Sequence, residues 1–159
     1  MSIAIHLAKP ADMPHVMAGL QGLAADLGDP FNASAAQVEA ALFGANPMVR
    51  AQLALQGDNV LGLAYYSPMF STMLGAGGCY VSDLWAAQAA RGQGLGARLL
   101  AAVARDAGAV WQAKFIKLAA YVDNAPALAF YEKLGFEHLS SETALRLNES
   151  AMRALGETL

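Results

Sequence analysis

Hydrophobic and polar positions alternate at the start of the chain and then change period. Ile3, Ile5 and Leu7 alternate with Ala4 and His6, the pattern of a half-buried strand. Pro10 opens a helix on which Met13, Val16, Met17, Leu20, Leu23 and Leu27 recur at helical spacing, and Gly28-Asp29-Pro30 ends it. Ser34 is placed to cap a short second helix carrying Val38, Ala41 and Leu42, which Gly44 closes. Residues 49–56 and 60–66 predict two strands, and Gly57-Asp58-Asn59 between them predicts a hairpin. Residues 67–78 predict a loop, because Gly75-Ala76-Gly77-Gly78 argues against regular structure. A strand over 79–85 follows, then a glycine-rich run, then a helix with the apolar stripe Leu95, Leu99, Leu100, Val103 and Ala107. Residues 115–122 predict a strand and 124–134 a short helix ended by Gly135. Residues 137–147 predict one or two strands, and 149–155 a last helical turn or two.

The predicted order is βααβββαβαβ. Helices alternate with strands in the second half only, which argues a mixed α/β (α+β) sheet with helices on both faces. Strands 79–85 and 115–122 would be parallel neighbours bridged by the long helix through a right-handed crossover. No repeat, charge block or long Pro/Gly/Ser linker divides the chain, and 159 residues suit one domain over 1–159.

Composition narrows the function classes. With 56% apolar and 14% charged residues, global disorder is excluded. A formal charge of −3, from 10 basic and 13 acidic side chains, offers no footprint for nucleic acid. The longest alanine-rich stretch, 97–110, is cut by Arg98, Arg105 and Asp106, whereas a membrane-spanning helix needs about 20 mostly apolar residues. The opening MSIAIHLAKPADMPH lacks the basic and apolar regions of a signal peptide, so a cytoplasmic setting is expected. Cys79 is the only cysteine, which excludes an intrachain disulfide and a cysteine-rich zinc site. His6, His15 and His138 show no ligand spacing, and no metal is expected.

The most informative segment is Arg91-Gly92-Gln93-Gly94-Leu95-Gly96-Ala97, between a strand and an amphipathic helix. Glycines there let the backbone curve tightly and approach a ligand. Successive N–H groups then converge at a helix N-terminus carrying about half a positive charge. Phosphate is the natural guest, and Arg91 adds a full charge with two-pronged hydrogen bonding. The P-loop string Gly-x-x-x-x-Gly-Lys-Ser/Thr is absent. The dinucleotide fingerprint Gly-x-Gly-x-x-Gly/Ala is matched literally by Gly92, Gly94 and Ala97, with Asp123 after the next strand. Against it, residues 86–91 separate the strand from the first glycine, where that fold turns at once. The 62 residues after Ala97 are also too few for the rest of a two-half dinucleotide fold.

Arg91-Gly92-Gln93-Gly94-Leu95-Gly96 resembles the Arg/Gln-x-x-Gly-x-Gly/Ala signature of the GNAT family of N-acetyltransferases. Tyr80-Val81-Ser82-Asp83-Leu84-Trp85 resembles that family's central strand. The run from Asn124 through Tyr131 to Gly135-Phe136 resembles its second conserved block. The resemblance implies a splayed sheet binding acetyl-CoA in a V-shaped opening. It implies that Leu84, Trp85 and Ala86 pair with the pantetheine arm through their backbone. The N–H groups of Gly92, Gln93, Gly94, Leu95, Gly96 and Ala97 would hold the pyrophosphate. Asn124 and Ala127 would help place the cofactor, Asn124 by its side chain. Tyr131 matches the tyrosine that protonates the departing thiolate; a phenol with pKa about 10 is able to donate at neutral pH. The family likeness also implies a homodimer.

Within the family, Tyr65-Tyr66, the strand 80–85 and the segment 149–155 resemble the spermidine/spermine (diamine) and thialysine acetyltransferase branch. That branch carries Glu-Asp on the central strand, the Glu holding a water that takes the amine proton. Here the pair is Ser82-Asp83. Ser82 is able to position a water but not to act as a carboxylate base, and Asp83 points to the opposite face unless the strand bulges. The base therefore stays open among Ser82, Asp83 and the first helices. A polycation wants several carboxylates along its pocket, yet no acidic residue lies between Asp58 and Asp83. The expected substrate is a small primary amine, an amino acid or an amine with an apolar tail. A protein N-terminus or lysine, and a non-catalytic acyl-CoA sensor, are the alternatives.

Overall fold

The computed structural model describes residues 2–158. These fall into two compact units, one ending at Tyr121 and the other beginning at Val122.

The first unit is built on one sheet, in the order β1 (Ala4–Leu7), β2 (Arg50–Gln56), β3 (Asn59–Ser71), β4 (Ala76–Ala86), β5 (Ile116–Leu118). All neighbours are antiparallel except β4 and β5, which run parallel as predicted. Helix α1 (Met13–Leu27) follows β1 after a 3-10 turn at Pro10–Asp12, where the Asp12 carboxylate accepts the Lys9 N–H at 2.8 Å. Helix α2 (Ala35–Phe43) begins with a reciprocal cap: the Gln37 N–H donates to Ser34 Oγ at 3.2 Å and the Ser34 N–H to Gln37 Oε1 at 2.9 Å. Helix α3 (Leu95–Trp111) connects β4 to β5.

Helices cover both sheet faces because successive strand residues point opposite ways. Leu63 of β3 packs on α1 at Gly19, while Gly62 lies against Leu95 and Leu99 of α3. On the α1 and α2 side, Val16, Leu20, Val38, Leu42, Ala51, Leu53 and Leu63 form a buried apolar cluster. On the α3 side, Leu95, Leu99, Val103 and Ala107 are buried, as their stripe predicts.

That second face also buries a polar network. Tyr66 O–H donates to Asp106 Oδ2 at 2.5 Å, and Gln52 Nε2 donates to the Tyr66 oxygen at 3.1 Å. Arg50 closes a fork on Asp106, Nε at 2.6 Å and Nη2 at 2.8 Å. Burial by itself would raise the Asp106 pKa; the Arg50 and Tyr66 hydrogen bonds outweigh it and hold the carboxyl below its ordinary value. Burial and the bond to Asp106 push the Tyr66 phenol well up.

Three predicted elements differ. Residues 67–78 are no loop: β3 and β4 continue as a long hairpin, Ser71 opposite Ala76. The glycines there mark close approach rather than irregularity. A Cβ on Gly78 would stand 2.4 Å from the Phe115 ring, and one on Gly77 3.1 Å from the Trp111 carbonyl oxygen. The hairpin tip leaves Phe70, Met73 and Leu74 exposed. The strand predicted over 115–122 is only Ile116–Leu118, because its ladder with β4 ends at Leu118.

The second unit holds α4 (Ala125–Lys133) and α5 (Glu149–Gly156), both at predicted places. The strands predicted over 137–147 do not form among the described residues. A strand needs a ladder partner, and Leu139, Leu145 and Leu147 are exposed instead of buried on a sheet face.

Asp106→Asn should destabilise the fold by about 2 kcal/mol, since it leaves Arg50 without its charged partner. An aspartate in the unfolded chain titrates near pH 3.9. The depressed folded value therefore contributes stability that is complete above about pH 4 and is lost as pH falls through the folded value. Thermal unfolding between pH 7 and 3 should show a lower Tm for Asp106→Asn and a shallower acid decline than wild type.

Candidate active site

Strand β4 is paired unequally along its two edges. β3 accompanies it from Ala76 to Ala86, whereas β5 pairs only Cys79, Tyr80 and Val81, with Ile116, Lys117 and Leu118. The next residue is a bulge: Tyr66 faces Val81 and Tyr65 faces Asp83, so Ser82 has no opposite number on β3. Beyond it, residues 82–86 keep a free edge with no strand paired to it among the described residues. A free edge offers backbone N–H and C=O groups to an extended ligand.

The bulge brings Ser82 and Asp83 together, where strict alternation would part them. Ser82 O–H donates to Asp83 Oδ2 at 2.7 Å, and Ser82 Oγ lies 3.3 Å from the Tyr65 carbonyl oxygen. Burial pushes the Asp83 carboxyl above its ordinary pKa, and the Ser82 bond offsets only part of that. Across the ladder, burial and then the Asp83 charge push the Tyr65 phenol up.

Leu84, Trp85 and Ala86 end β4 opposite Ala64, Leu63 and Gly62. A 3-10 turn, Gln88–Ala90, then leads into the glycine turn. Gly92 and Gly94 both hold φ 73°, a region that costs an L side chain about 1–2 kcal/mol. Gly94 caps α3, and the first bond returning into the helix is Arg98 N–H to the Gly94 carbonyl at 3.1 Å. The N–H groups of Leu95, Gly96 and Ala97 therefore have no partner within the helix and point out of its positive end. Gln93 Nε2 donates to the Ala89 carbonyl at 2.9 Å, folding its side chain back on the turn. The turn has the chemistry to hold a pyrophosphate, and the β4 edge that of an amide-bearing arm.

Arg91 makes internal bonds. Its Nε donates to the Ala86 carbonyl at 2.9 Å and its Nη2 to the Asp26 carboxylate. Asp26 Oδ2 also accepts Trp85 Nε1–H at 2.8 Å. Asp29, just past α1, accepts the Tyr121 hydroxyl at 2.8 and 2.9 Å. The α1 end thus reaches both diverging arms of the sheet, Trp85 on β4 and Tyr121 beyond β5.

In the second unit, Asn124 Oδ1 accepts the Ala127 N–H at 3.3 Å, so the side-chain oxygen caps α4. Tyr131 packs between aromatics: Phe136 edge-on at 5.4 Å between centroids and Phe130 at 5.2 Å. Burial pushes its phenol up.

The sequence analysis singles out none of Asp26, Asp29 and Tyr121 as a site residue. A signal was present for Asp26. A carboxylate in the last turn of a helix opposes the macrodipole, and α1 has no basic residue there to offset it, which calls for a partner elsewhere.

A mixed sheet that parts at its parallel pair, with a glycine turn leading into the next helix, fits the architecture of a coenzyme A-dependent acyltransferase. Residues 20–136 match the acetyltransferase (GNAT) family, and the chain belongs to that family as an acetyl-CoA-dependent N-acetyltransferase. Among solved structures it is similar to an integron cassette protein from the mobile metagenome of V. cholerae, at 25% identity and TM-score 0.78, covering 99% of each chain. It is also similar in fold to an aminoglycoside acetyltransferase from an uncultured soil metagenomic sample, solved with sisomicin, at 15% identity and TM-score 0.77, covering 92% of this chain and 97% of that one. A ribosomal-protein-alanine N-acetyltransferase from Brucella melitensis biovar Abortus 2308 shares the fold at 17% identity and TM-score 0.69, covering 92% of this chain and all of that one.

Gly94→Ala should strain the turn by about 1 kcal/mol and weaken acetyl-CoA binding. Calorimetric titration of coenzyme A into the variant, beside its thermal unfolding, checks whether affinity falls with only a small loss of Tm.

Proposed function

We propose that the enzyme acetylates the primary amine of a small molecule by direct attack in a ternary complex. The observation that carries this reading is Asp83: a carboxylate raised by burial, hydrogen-bonded by Ser82, at the bulge where β4 leaves β5. A carboxylate with a raised pKa is a stronger base than one in water.

In this reading Asp83 accepts the amine proton through a water that Ser82 helps to hold. The neutral nitrogen attacks the thioester carbonyl, and a backbone N–H near Leu84 or Trp85 faces the oxygen as charge develops there. The carbon–sulfur bond breaks as the nitrogen gives up its second proton to solvent, and Tyr131 donates its proton to the leaving thiolate and is reprotonated from solvent. Burial supports that role by keeping the phenol protonated above its ordinary range. Leu84, Trp85 and Ala86 pair with the pantetheine arm, and Gly92 to Ala97 hold the pyrophosphate. Asn124 and Ala127 place the cofactor from the start of α4.

For the acceptor, the likeness to the polyamine and thialysine branch supports a small amine. Ser82 in place of a carboxylate, and the lack of acidic residues between Asp58 and Asp83, speak for one less cationic than spermidine. Solved neighbours that carry the name aminoglycoside acetyltransferase agree with a small-molecule acceptor. The reading includes a cytoplasmic homodimer, consistent with the exposed Phe70, Met73 and Leu74 of the hairpin tip. Sedimentation velocity distinguishes it from a monomer.

The test is coenzyme A release from acetyl-CoA against diamines, polyamines, amino acids, aminoglycosides, apolar amines and a peptide. Turnover with apolar amines or amino acids and little with spermidine is expected. A preference for the peptide would overturn the small-molecule reading. Tyr131→Phe and Asp83→Asn should each lower kcat about 100-fold. The pH profile of kcat/KM should show an acid limb above the ordinary aspartate value of about 3.9, because Asp83 works only once deprotonated. That limb should be absent in Asp83→Asn.

A further inference from the structure

Asp26 lies outside the residues assigned to either substrate, yet two groups around the cofactor turn, Trp85 and Arg91, converge on it. Gly22 and Asp26 stand one turn apart on α1, on the same helix face. The Trp85 indole lies against the helix at Gly22, where a Cβ would meet Cζ2 at 2.7 Å and Cε2 at 2.8 Å. From that seat the indole N–H reaches Asp26 Oδ2 at 2.8 Å, and the same oxygen takes the Arg91 guanidinium. Arg91 in turn holds the Ala86 carbonyl through Nε at 2.9 Å. The last β4 residue and the first residue of the glycine turn are thus tied to each other and to α1.

Stability does not account for this arrangement. The Arg91 and Asp26 side chains are 50% and 42% exposed, and an ion pair so solvated contributes little to folding. Its effect is on position. Arg91 immediately precedes Gly92 and Gly94, whose freedom about φ makes the turn pliable. A turn of glycines presents converging N–H groups only when its entry is held.

We propose that Asp26 is a positioning residue for the cofactor turn, acting through Trp85 and Arg91. Arg91 then serves as a strut between α1 and the turn, rather than as a direct partner of phosphate. This rests on the reading that Gly92 to Ala97 hold the pyrophosphate.

Coenzyme A is titrated by calorimetry into wild type, Asp26→Ala, Arg91→Lys and the double variant, with steady-state kinetics alongside. Lysine keeps the charge but cannot bridge Ala86 and Asp26 as the guanidinium does. Each single variant should raise Kd about tenfold, with kcat at saturating substrates within about threefold of wild type. The double variant should be no worse than either single, since both break one unit. Asp106→Asn, which lowers stability from the far face of the sheet, should leave Kd unchanged and so separates positioning from general destabilisation. Wild-type affinity in Asp26→Ala would overturn the inference alone. So would additive losses in the double variant, because Arg91 would then be binding phosphate independently. Wild type that failed to bind coenzyme A would overturn the assignment of the turn, and this inference with it.

Discussion

The parting of β4 from β5 is the constraint from which the rest of the site follows. A parallel pair can exchange hydrogen bonds only while the strands keep their spacing. Here the ladder stops after Val81 and Leu118, and the Ser82 bulge turns β4 away. The residues past the bulge stay fixed by β3 on one edge and offer polar backbone on the other. The same bulge lets Ser82 and Asp83 meet, and it aims the chain into the glycine turn. One local irregularity thus accompanies both the free edge and the meeting of Ser82 with Asp83.

The two sheet faces hold the fork by different means. The α3 face carries a half-buried charge, Asp106, whose oxygens are taken by Arg50 and Tyr66, so the long helix is tied to β2 and β3 through groups that are costly to leave unpaired. The α1 face carries an apolar cluster with a half-exposed polar clasp at its end, Asp26 with Trp85 and Arg91. The first contributes stability. The second contributes placement, at the end of the sheet where the free β4 edge and the glycine turn lie. Burial acts on single groups too: it raises the pKa of both the Asp83 carboxyl and the Tyr131 phenol.

Much of this was legible in the residues, for local reasons. Strand β1, helices α1 and α2, the Gly57-Asp58 hairpin, the α3 stripe and the capped α4 depend on periodicity and capping groups close in sequence, and they form where those signals lie. The glycine turn and the block from Asn124 to Phe136 were specific enough to point to the acetyltransferase family. Failures fall where a distant partner decides. Gly77 and Gly78 look like loop residues until Phe115 and the Trp111 carbonyl occupy the space a Cβ would need. Residues 137–147 predict strands but have no ladder partner among the described residues. The length of β5 is set by where β4 turns, not by its own apolar run.

The order of elements as far as α4, the glycine turn and the family were readable from the residues alone, because periodicity, capping and glycine spacing are properties of neighbours along the chain. Only the tertiary structure decided that Ser82 and Asp83 share a bulge, that Asp83 is raised, and that Arg91 is held by Asp26. Each depends on groups tens of residues apart meeting in space, where register and burial set the chemistry and no local pattern records them.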